Sequence, residues 1–326
     1  MKRLIRAVII GLGVAALLLV ILAVFLRRPS FGRPASLLRA RADSARLARH
    51  VEVLTTDFLP RAASDPASLE RTAAYVEAAF RAATPRVESQ RFTAFGAEFR
   101  NVIARFGPPG EARIVVGAHY DAMGLFGSNP GADDNASGTA GLLELARLLA
   151  AADLARPVEL VAFTLEEPPF FATPKMGSRV HADALVASGR HLDAMIGLEM
   201  IGCFSEHQPW PSALLALIYP RRGDFVGVVG EPFDSGLARR VKGWMRVPGG
   251  VPVYSFNGPT TMGTDASDHA SYWRHGLPAV MVTDTAFMRN PRYHTAADTA
   301  DTLDYGRMAL VVDGVLNAVL HLAGRG

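Results

Sequence analysis

Five apolar, β-branched runs constrain this chain more than any other feature: RIVVGAHYD (113 to 121), VELVAFTL (158 to 165), AMIGLEMI (194 to 201), FVGVVG (225 to 230) and PAVMVTD (278 to 284). Each reads as a strand covered on both faces, and segments of helical spacing stand between them. Residues 138 to 152 place Leu142, Leu145, Ala146 and Leu149 inward, and further helices are expected around 176 to 187 and 234 to 245. A last helix carries Met308, Val311, Val312, Val315 and Val319 on one face. Upstream, Leu47, Val51, Leu54 and Phe58 define one amphipathic helix, and Leu69, Ala73, Val76 and Phe80 repeat its spacing beyond Pro66. Residues 87 to 106 read as a hairpin around Gly96. Strands alternating with helices mean an α/β sandwich with a mixed, largely parallel sheet. Ligands of such sheets bind beyond the carboxyl ends of the strands, so the residues just past each run are the ones to read.

The N-terminal arm is of another kind. Ala7 to Leu26 is a 20-residue stretch without a charge, and at 1.5 Å per residue it spans about 30 Å, the thickness of a bilayer's hydrocarbon core. Signal-peptide apolar regions are shorter, and no small-x-small site precedes Arg27 and Arg28, so an uncleaved single-pass anchor is favoured over a cleaved signal. The chain divides into a basic tail (1 to 6), an anchor (7 to 26), a linker (27 to 45) and a catalytic domain (46 to 326). Lys2, Arg3 and Arg6 flank one end of the anchor, and Arg27, Arg28, Arg33 and Arg39 flank the other, so a positive-inside count does not favour an external C-terminus. The formal charge of +3 hides this asymmetry: residues 1 to 50 hold ten of the 34 Lys and Arg, but of the 31 acids only Asp43. The remainder is net acidic, which argues against a nucleic-acid surface and leaves room for bound cations. The single cysteine, Cys203, excludes an intrachain disulfide and reads as a small buried filler.

Acids and histidines gather where the strands end. His119 and Asp121 close the first run, and a period of two puts them on one face. The carboxylate can accept the second N–H of the imidazole, leaving the other nitrogen for a metal, or the two can form an ordinary hydrogen-bonded pair. GADDNASG (131 to 138) reads equally as helix capping or as a site. Glu166 and Glu167 end VAFTL side by side, either as a solvated turn or as part of a site. Glu199 lies between apolar residues, where unpaired burial costs several kcal/mol and a salt bridge is the plain alternative. His294 follows in NPRYHT. Two histidines and at least three carboxylates form an inventory suited to two divalent ions such as Zn²⁺.

HYD, GADDNASG, EE, LEMIG and YHT, in that order, resemble the zinc aminopeptidase family M28, the co-catalytic di-zinc exopeptidases, from about residue 46 to the C-terminus. The resemblance implies a three-layer α/β/α domain with a mixed sheet. It implies that His119 and Glu199 bind one zinc and Glu167 and His294 the other, with Asp134 rather than Asp133 bridging both, and that the Asp134–Asn135 peptide is cis. It makes Glu166 the general base, Asp121 the residue that orients His119, and Tyr293 a candidate for oxyanion stabilisation or a plain packing aromatic. Asp268 and His269 match a loop near the active site of relatives, and Arg289 is a candidate for facing substrate. Glu199 stands where Asp is commoner. EEPPFFATPKMGS replaces a glycine-rich turn, which suggests a stiff apolar rim near Phe170, Phe171 and Pro174.

The reading is a membrane-anchored metallopeptidase with two zinc ions per chain, acting as an aminopeptidase on peptides with its catalytic domain outside the cytoplasm. A glutaminyl-cyclase-like single-zinc transferase and a catalytically inactive binding domain are the alternatives.

Overall fold

Among the described residues the chain builds α1 (Lys2–Arg27), α2 (Ser44–Thr56), α3 (Pro66–Ala83), β1 (Val87–Ala94), β2 (Ala97–Phe106), β3 (Ile114–His119), α4 (Gly138–Leu149), β4 (Val158–Phe163), α5 (Gly177–Ala187) and β5 (Ala194–Glu199). It continues through α6 (Ala213–Ile218), β6 (Val226–Val229), α7 (Leu237–Met245), β7 (Val253–Phe256), α8 (His269–Trp273), β8 (Ala279–Thr283) and α9 (Tyr305–Ala323). The structure is a computed structural model of the 326-residue chain and describes residues 1–32, 34–110, 114–124, 129–234 and 236–324. Arg113, expected to open a strand, lies outside the described residues.

The strands form one sheet in the order β1-β2-β4-β3-β5-β8-β6-β7. β4, β3, β5 and β8 are mutually parallel, while β1, β2 and β6 introduce antiparallel pairings. Alternate residues of these strands enter different cores, as a period of two requires. Ile114, Val116 and Ala118 join Ile196, Leu198 and the inward faces of α2, α3, α4, α7 and α9. Val115 joins Val161, Phe163 and Met195 against Ala182 and Leu185 of α5 and Tyr272 of α8. Helices thus cover both faces, giving the expected α/β/α sandwich.

Two glycines align the site across this sheet. Gly117 of β3 pairs with Gly197 of β5, and His119 and Glu199 follow two residues later on their strands, on the α5/α8 side. A Cβ at Gly117 would lie 2.2 Å from the Phe163 ring, so this position admits no side chain.

Several elements depart from the sequence reading. β4 ends at Phe163, so Glu166 and Glu167 lie on a turn past the strand rather than on its last residues. α6, β7 and α8, at 6, 4 and 5 residues, are too short to show a period and were not foreseen. The segment after α1 is bonded to α9: the Leu37 N–H donates to Asn317 Oδ1 and the Ala42 N–H to Asp313 Oδ1. α1 holds a 23-residue apolar span, Ile5–Arg27, of mean hydropathy 3.2, none of whose most apolar window is buried.

Candidate metal centre

Each candidate side chain arrives from a different element. His119 ends β3, Glu199 ends β5, and Glu166 and Glu167 follow β4. Asp134 lies in the irregular turn that leads into α4, and its bond to Asn135 is cis. Asn135 pins this turn to the end of β5, donating to Leu198 O at 2.8 Å and accepting the Met200 N–H at 3.1 Å. His294 lies between β8 and α9. Three non-glycine residues here have left-handed backbones: Leu165 (φ 58), Met200 (φ 49) and His294 (φ 59). Such geometry costs about 1–3 kcal/mol per residue and persists where surrounding structure imposes it. At Leu165 the imposing group is Asp121, which accepts the next two main-chain N–H groups, those of Glu166 at 3.2 Å and Glu167 at 3.1 Å.

The result is two clusters sharing one carboxylate. Asp134 Oδ1 lies 3.5 Å from His119 Nε2, and Asp134 Oδ2 lies 3.0 Å from His294 Nε2. Glu199 Oε2 is 3.3 Å from His119 Nε2, and Glu167 Oε2 is 3.3 Å from His294 Nε2. Glu166 Oε2 approaches His119 Nε2 at 3.8 Å. The donor atoms of His119, Glu166 and Glu199, and those of Asp134, Glu167 and His294, each fall within 4.8 Å of one another. His119 Nδ1 is bonded to the Asp121 main-chain oxygen at 3.2 Å, which leaves Nε2 as the nitrogen facing the acids.

His119 Nε2, His294 Nε2 and Glu167 Oε1 are buried without a hydrogen-bond partner. Orphaned nitrogens and a crowd of carboxylates are what a cation would satisfy. Burial pushes Glu166 well above the ordinary carboxylate range, and burial with the neighbouring Asp134 pushes Glu167 up to about 7. Burial alone would lower His119, yet the charges of Glu166 and Glu199 drive it well above its usual value. The donor set therefore fits zinc. A third cluster, Asp133, Cys203 and Asp284, also brings donors within 4.8 Å, but it is satisfied internally. Asp133 Oδ1 accepts the Gly202 N–H, Asp133 Oδ2 accepts Asn290 Nδ2, and Asp284 Oδ2 accepts the Cys203 N–H.

The surrounding candidates sort differently. Tyr293 stacks on the His294 ring at 3.7 Å and 19°. Asp268 is buried, and burial pushes it up to about 7 beside His119 and Glu199. His269 is buried too, bonded to Thr264 O at 2.7 Å and edge-on to Trp273. Arg289 turns inward, 4% exposed, with Nε donating to Gln208 Oε1 and Nη1 to the carbonyls of Cys203 and Phe225. Its guanidinium ties loops together. Phe170 is also buried, packed against Phe95 and Phe99, whereas Phe171 and Pro174 are exposed. The sequence reading missed Ser267, whose hydroxyl donates to Glu199 Oε2 at 2.6 Å, and Asp298, which accepts the N–H groups of Asp133 and Asp134 at 3.1 Å. Asp298 has one faint signal, its place four residues beyond His294.

The sequence pattern described as Peptidase family M28 matches residues 101–319. An uncharacterized protein of Escherichia coli (strain K12), YfbL, is 43% identical over 291 residues, which cover 86% of this chain and 88% of that protein. Leucine aminopeptidase 1 of Coccidioides posadasii (strain C735) is 31% identical over 238 residues, covering 70% of this chain and 56% of that protein. The chain thus spans about half the length of the leucine aminopeptidases it matches. Among solved structures, the zinc aminopeptidase BSAP from Bacillus subtilis superposes with a TM-score of 0.68 at 15% identity, covering 89% of this chain and 97% of that one. A Bacteroides thetaiotaomicron glutaminyl cyclase superposes with a TM-score of 0.64 at 19% identity, covering 86% and 98%. Both likenesses show the fold.

Proposed function

The chain belongs to peptidase family M28, the zinc-dependent exopeptidases, and on that premise we propose that it is a membrane-anchored aminopeptidase using two zinc ions per chain. The observation that carries this reading is Asp134, whose two oxygens face two different histidines, His119 and His294. His119 and Glu199 would hold one zinc, Glu167 and His294 the other, and Asp134 both. Bound there, the ions would polarise the scissile carbonyl and acidify a water.

The chain's own groups do the rest. Glu166 is not needed as a ligand, and burial raises its proton affinity, which suits it to take the proton of the attacking water and pass it to the leaving amine. Asp121 holds the Glu166 and Glu167 main chain so that neither carboxylate drifts. Tyr293, stacked on His294, offers its hydroxyl to the tetrahedral oxyanion. Asp268 supports the His119 side of the site. Beside Glu199 opens a cavity of about 530 Å³ lined by Trp210, Tyr219, Phe225, Tyr254, Phe256 and Thr283. Thr283 is the register partner of Glu199, so the cavity wall stands one strand away from that acid. Its aromatic lining suits a bulky apolar residue at the peptide N-terminus, in keeping with the name of the leucine aminopeptidases. The exposed apolar span of α1 is the single-pass anchor, followed by the catalytic domain on the extracytoplasmic side of the cell membrane.

Glu166→Gln tests the assignment. The variant keeps its zinc and its fold and loses about 10²–10⁴-fold in turnover of an aminoacyl reporter, and near-wild-type turnover would overturn Glu166 as base. Metal content separates the cyclase-like reading, because two zincs per chain support the peptidase and one supports the transferase. Cleavage of N-blocked peptides with no action on the free-amine reporter would overturn the aminopeptidase assignment.

A further inference from the structure

The membrane helix is built into the catalytic domain at its C-terminal end. Leu19, Leu22, Ala23 and Leu26, spaced i, i+3, i+4 and i+7, form one face that packs with Leu215 and Ile218 of α6 and with Tyr254 and Phe256 of β7. Lys242, 5% exposed, donates to the carbonyls of Arg27 and Arg28 and to Ser255 Oγ. A cation at the carbonyl end of a helix also complements its dipole. The Asn257 N–H donates to Leu26 O at 3.0 Å, which ties the helix end to the chain just beyond edge strand β7.

This docking conflicts with a domain standing clear of the bilayer. If the membrane held only the undocked part of α1, from Ile5 to Leu18, the span would be about 14 residues, or roughly 21 Å. A hydrocarbon core of about 30 Å needs the turns from Leu19 to Leu26 as well. Those are the turns that α6 touches. Its sequence, ALLALI, is apolar on every side, and the face turned away from α1 leaves Leu214 44% and Leu217 67% exposed. Nearby Phe233, 88% exposed, meets Phe25 of the anchor edge-on at 5.9 Å. Arg27 lies over the Tyr219 and Tyr254 rings and Arg28 over Phe25. Aromatic and basic residues at one level are what the membrane–water boundary selects.

We infer that α6, through Leu214 and Leu217, together with Phe233, is immersed in the phospholipid bilayer at the boundary between headgroups and acyl chains, in continuity with the apolar face of α1. The occupant of this surface is lipid. The inference rests on the membrane-anchor reading and adds that the domain lies on the bilayer in a fixed pose. Trp210, Leu215, Tyr219, Tyr254 and Phe256 belong both to this contact and to the cavity beside Glu199, so the cavity is held at the membrane surface.

The test uses the full chain in phosphatidylcholine liposomes, with a polarity-sensitive fluorophore on Leu217→Cys or, independently, on Phe233→Cys. The wild type, whose only cysteine is the buried Cys203, is the labelling blank. Val186→Cys, on the exposed side of α5, is the aqueous reference. Turnover of an aminoacyl reporter verifies that each variant is folded. A blue-shifted emission at both positions, quenched by lipid spin-labelled near its headgroup, is expected, with neither effect at Val186→Cys. Emission matching the aqueous reference in a chain that floats with the liposomes and resists alkaline extraction would overturn the inference and leave the anchor standing. A chain that stays in the aqueous phase would overturn both.

Discussion

Asp121 grips Glu167 by its main chain: one carboxylate oxygen accepts the Glu167 N–H at 3.1 Å, while the other accepts the N–H of Glu166 at 3.2 Å. The same residue offers its own main-chain oxygen to His119 Nδ1. One aspartate therefore sets the orientation of a histidine on β3 and of two acids beyond β4. Asp121→Asn keeps one acceptor and presents an amide donor to the other N–H, so the turn must shift. We expect a roughly 10–100-fold loss of zinc affinity or of kcat/KM with unchanged far-ultraviolet circular dichroism. Competition with a metal-sensitive dye measures the first and steady-state kinetics the second. Wild-type values for both would remove Asp121 from the account.

Arg61 is buried at 1% exposure and donates to Tyr120 O at 2.9 Å, Leu54 O at 2.6 Å, Pro130 O at 2.9 Å and Gly131 O at 2.9 Å. These carbonyls belong to the last turns of α2, the exit of β3 and the loop that leads to Asp134, so one guanidinium joins three segments of the site wall. Burial pushes its pKa down to about 10, which leaves it charged at neutral pH. A lysine carries its charge at a point and cannot serve carbonyls on several sides. Arg61→Lys should cost about 3 kcal/mol in urea unfolding and weaken zinc binding. Unchanged stability would show the carbonyls to be satisfied in another way.

The division between what the sequence exposes and what it hides follows the range of the interactions. Strands β3, β4, β5 and β8 are legible because burial on both faces writes a continuous apolar run. His119, Glu199 and the Glu166–Glu167 pair are legible because they interrupt or end such runs. Asp133 and Asp134 are indistinguishable by composition, and at the level of sequence the family resemblance separates them. In the structure Asp134 faces both histidines while Asp133 turns to Gly202 and Asn290. Ser267, Asp298 and Arg61 are ordinary polar residues until the fold brings them to Glu199, Asp134 and Tyr120. The partners of Arg289 are hidden for the same reason, since nothing in FMRNPRYH points to the distant carbonyls of Cys203 and Phe225.

Glu159, the second residue of β4, gives the acid limb of stability a specific source. Its Oε1 is 2.9 Å from His181 Nε2, and its Oε2 accepts Arg105 Nε at 2.9 Å. Burial pushes the carboxyl up, but the hydrogen bond and charge of His181, with the charge of Arg105, outweigh it and hold the group below its ordinary 4.5. Protonation is then harder in the folded state than in the unfolded one, so this stabilisation is complete above about pH 4.5 and is lost as the pH falls through the lower folded value. Glu159→Gln should be less stable than the wild type by about 1–3 kcal/mol near pH 7. The gap should narrow on acidification. Parallel stability curves for the two proteins down to about pH 3 would contradict the assignment.

Removing zinc separates what the metal does for chemistry from what it does for the fold. The two cores flanking the sheet contain no metal donor, so the chelated protein should remain folded while losing turnover. It should melt lower, because Glu166, Glu167, Glu199 and Asp134 then face one another with only two imidazoles between them. A ligand held at about 100 times its dissociation constant stabilises by about 2.7 kcal/mol, and two sites filled to that level would shift the melting temperature by several degrees. Readdition should restore both melting temperature and turnover at two equivalents, with no third equivalent taken up by Asp133, Cys203 and Asp284, whose oxygens are already hydrogen-bonded. His294→Ala should retain a single zinc on the His119 side and lose most turnover. If that variant bound two ions as tightly as the wild type, Asp134 would not be joining two sites, and the division of ligands between His119 and His294 would have to be redrawn.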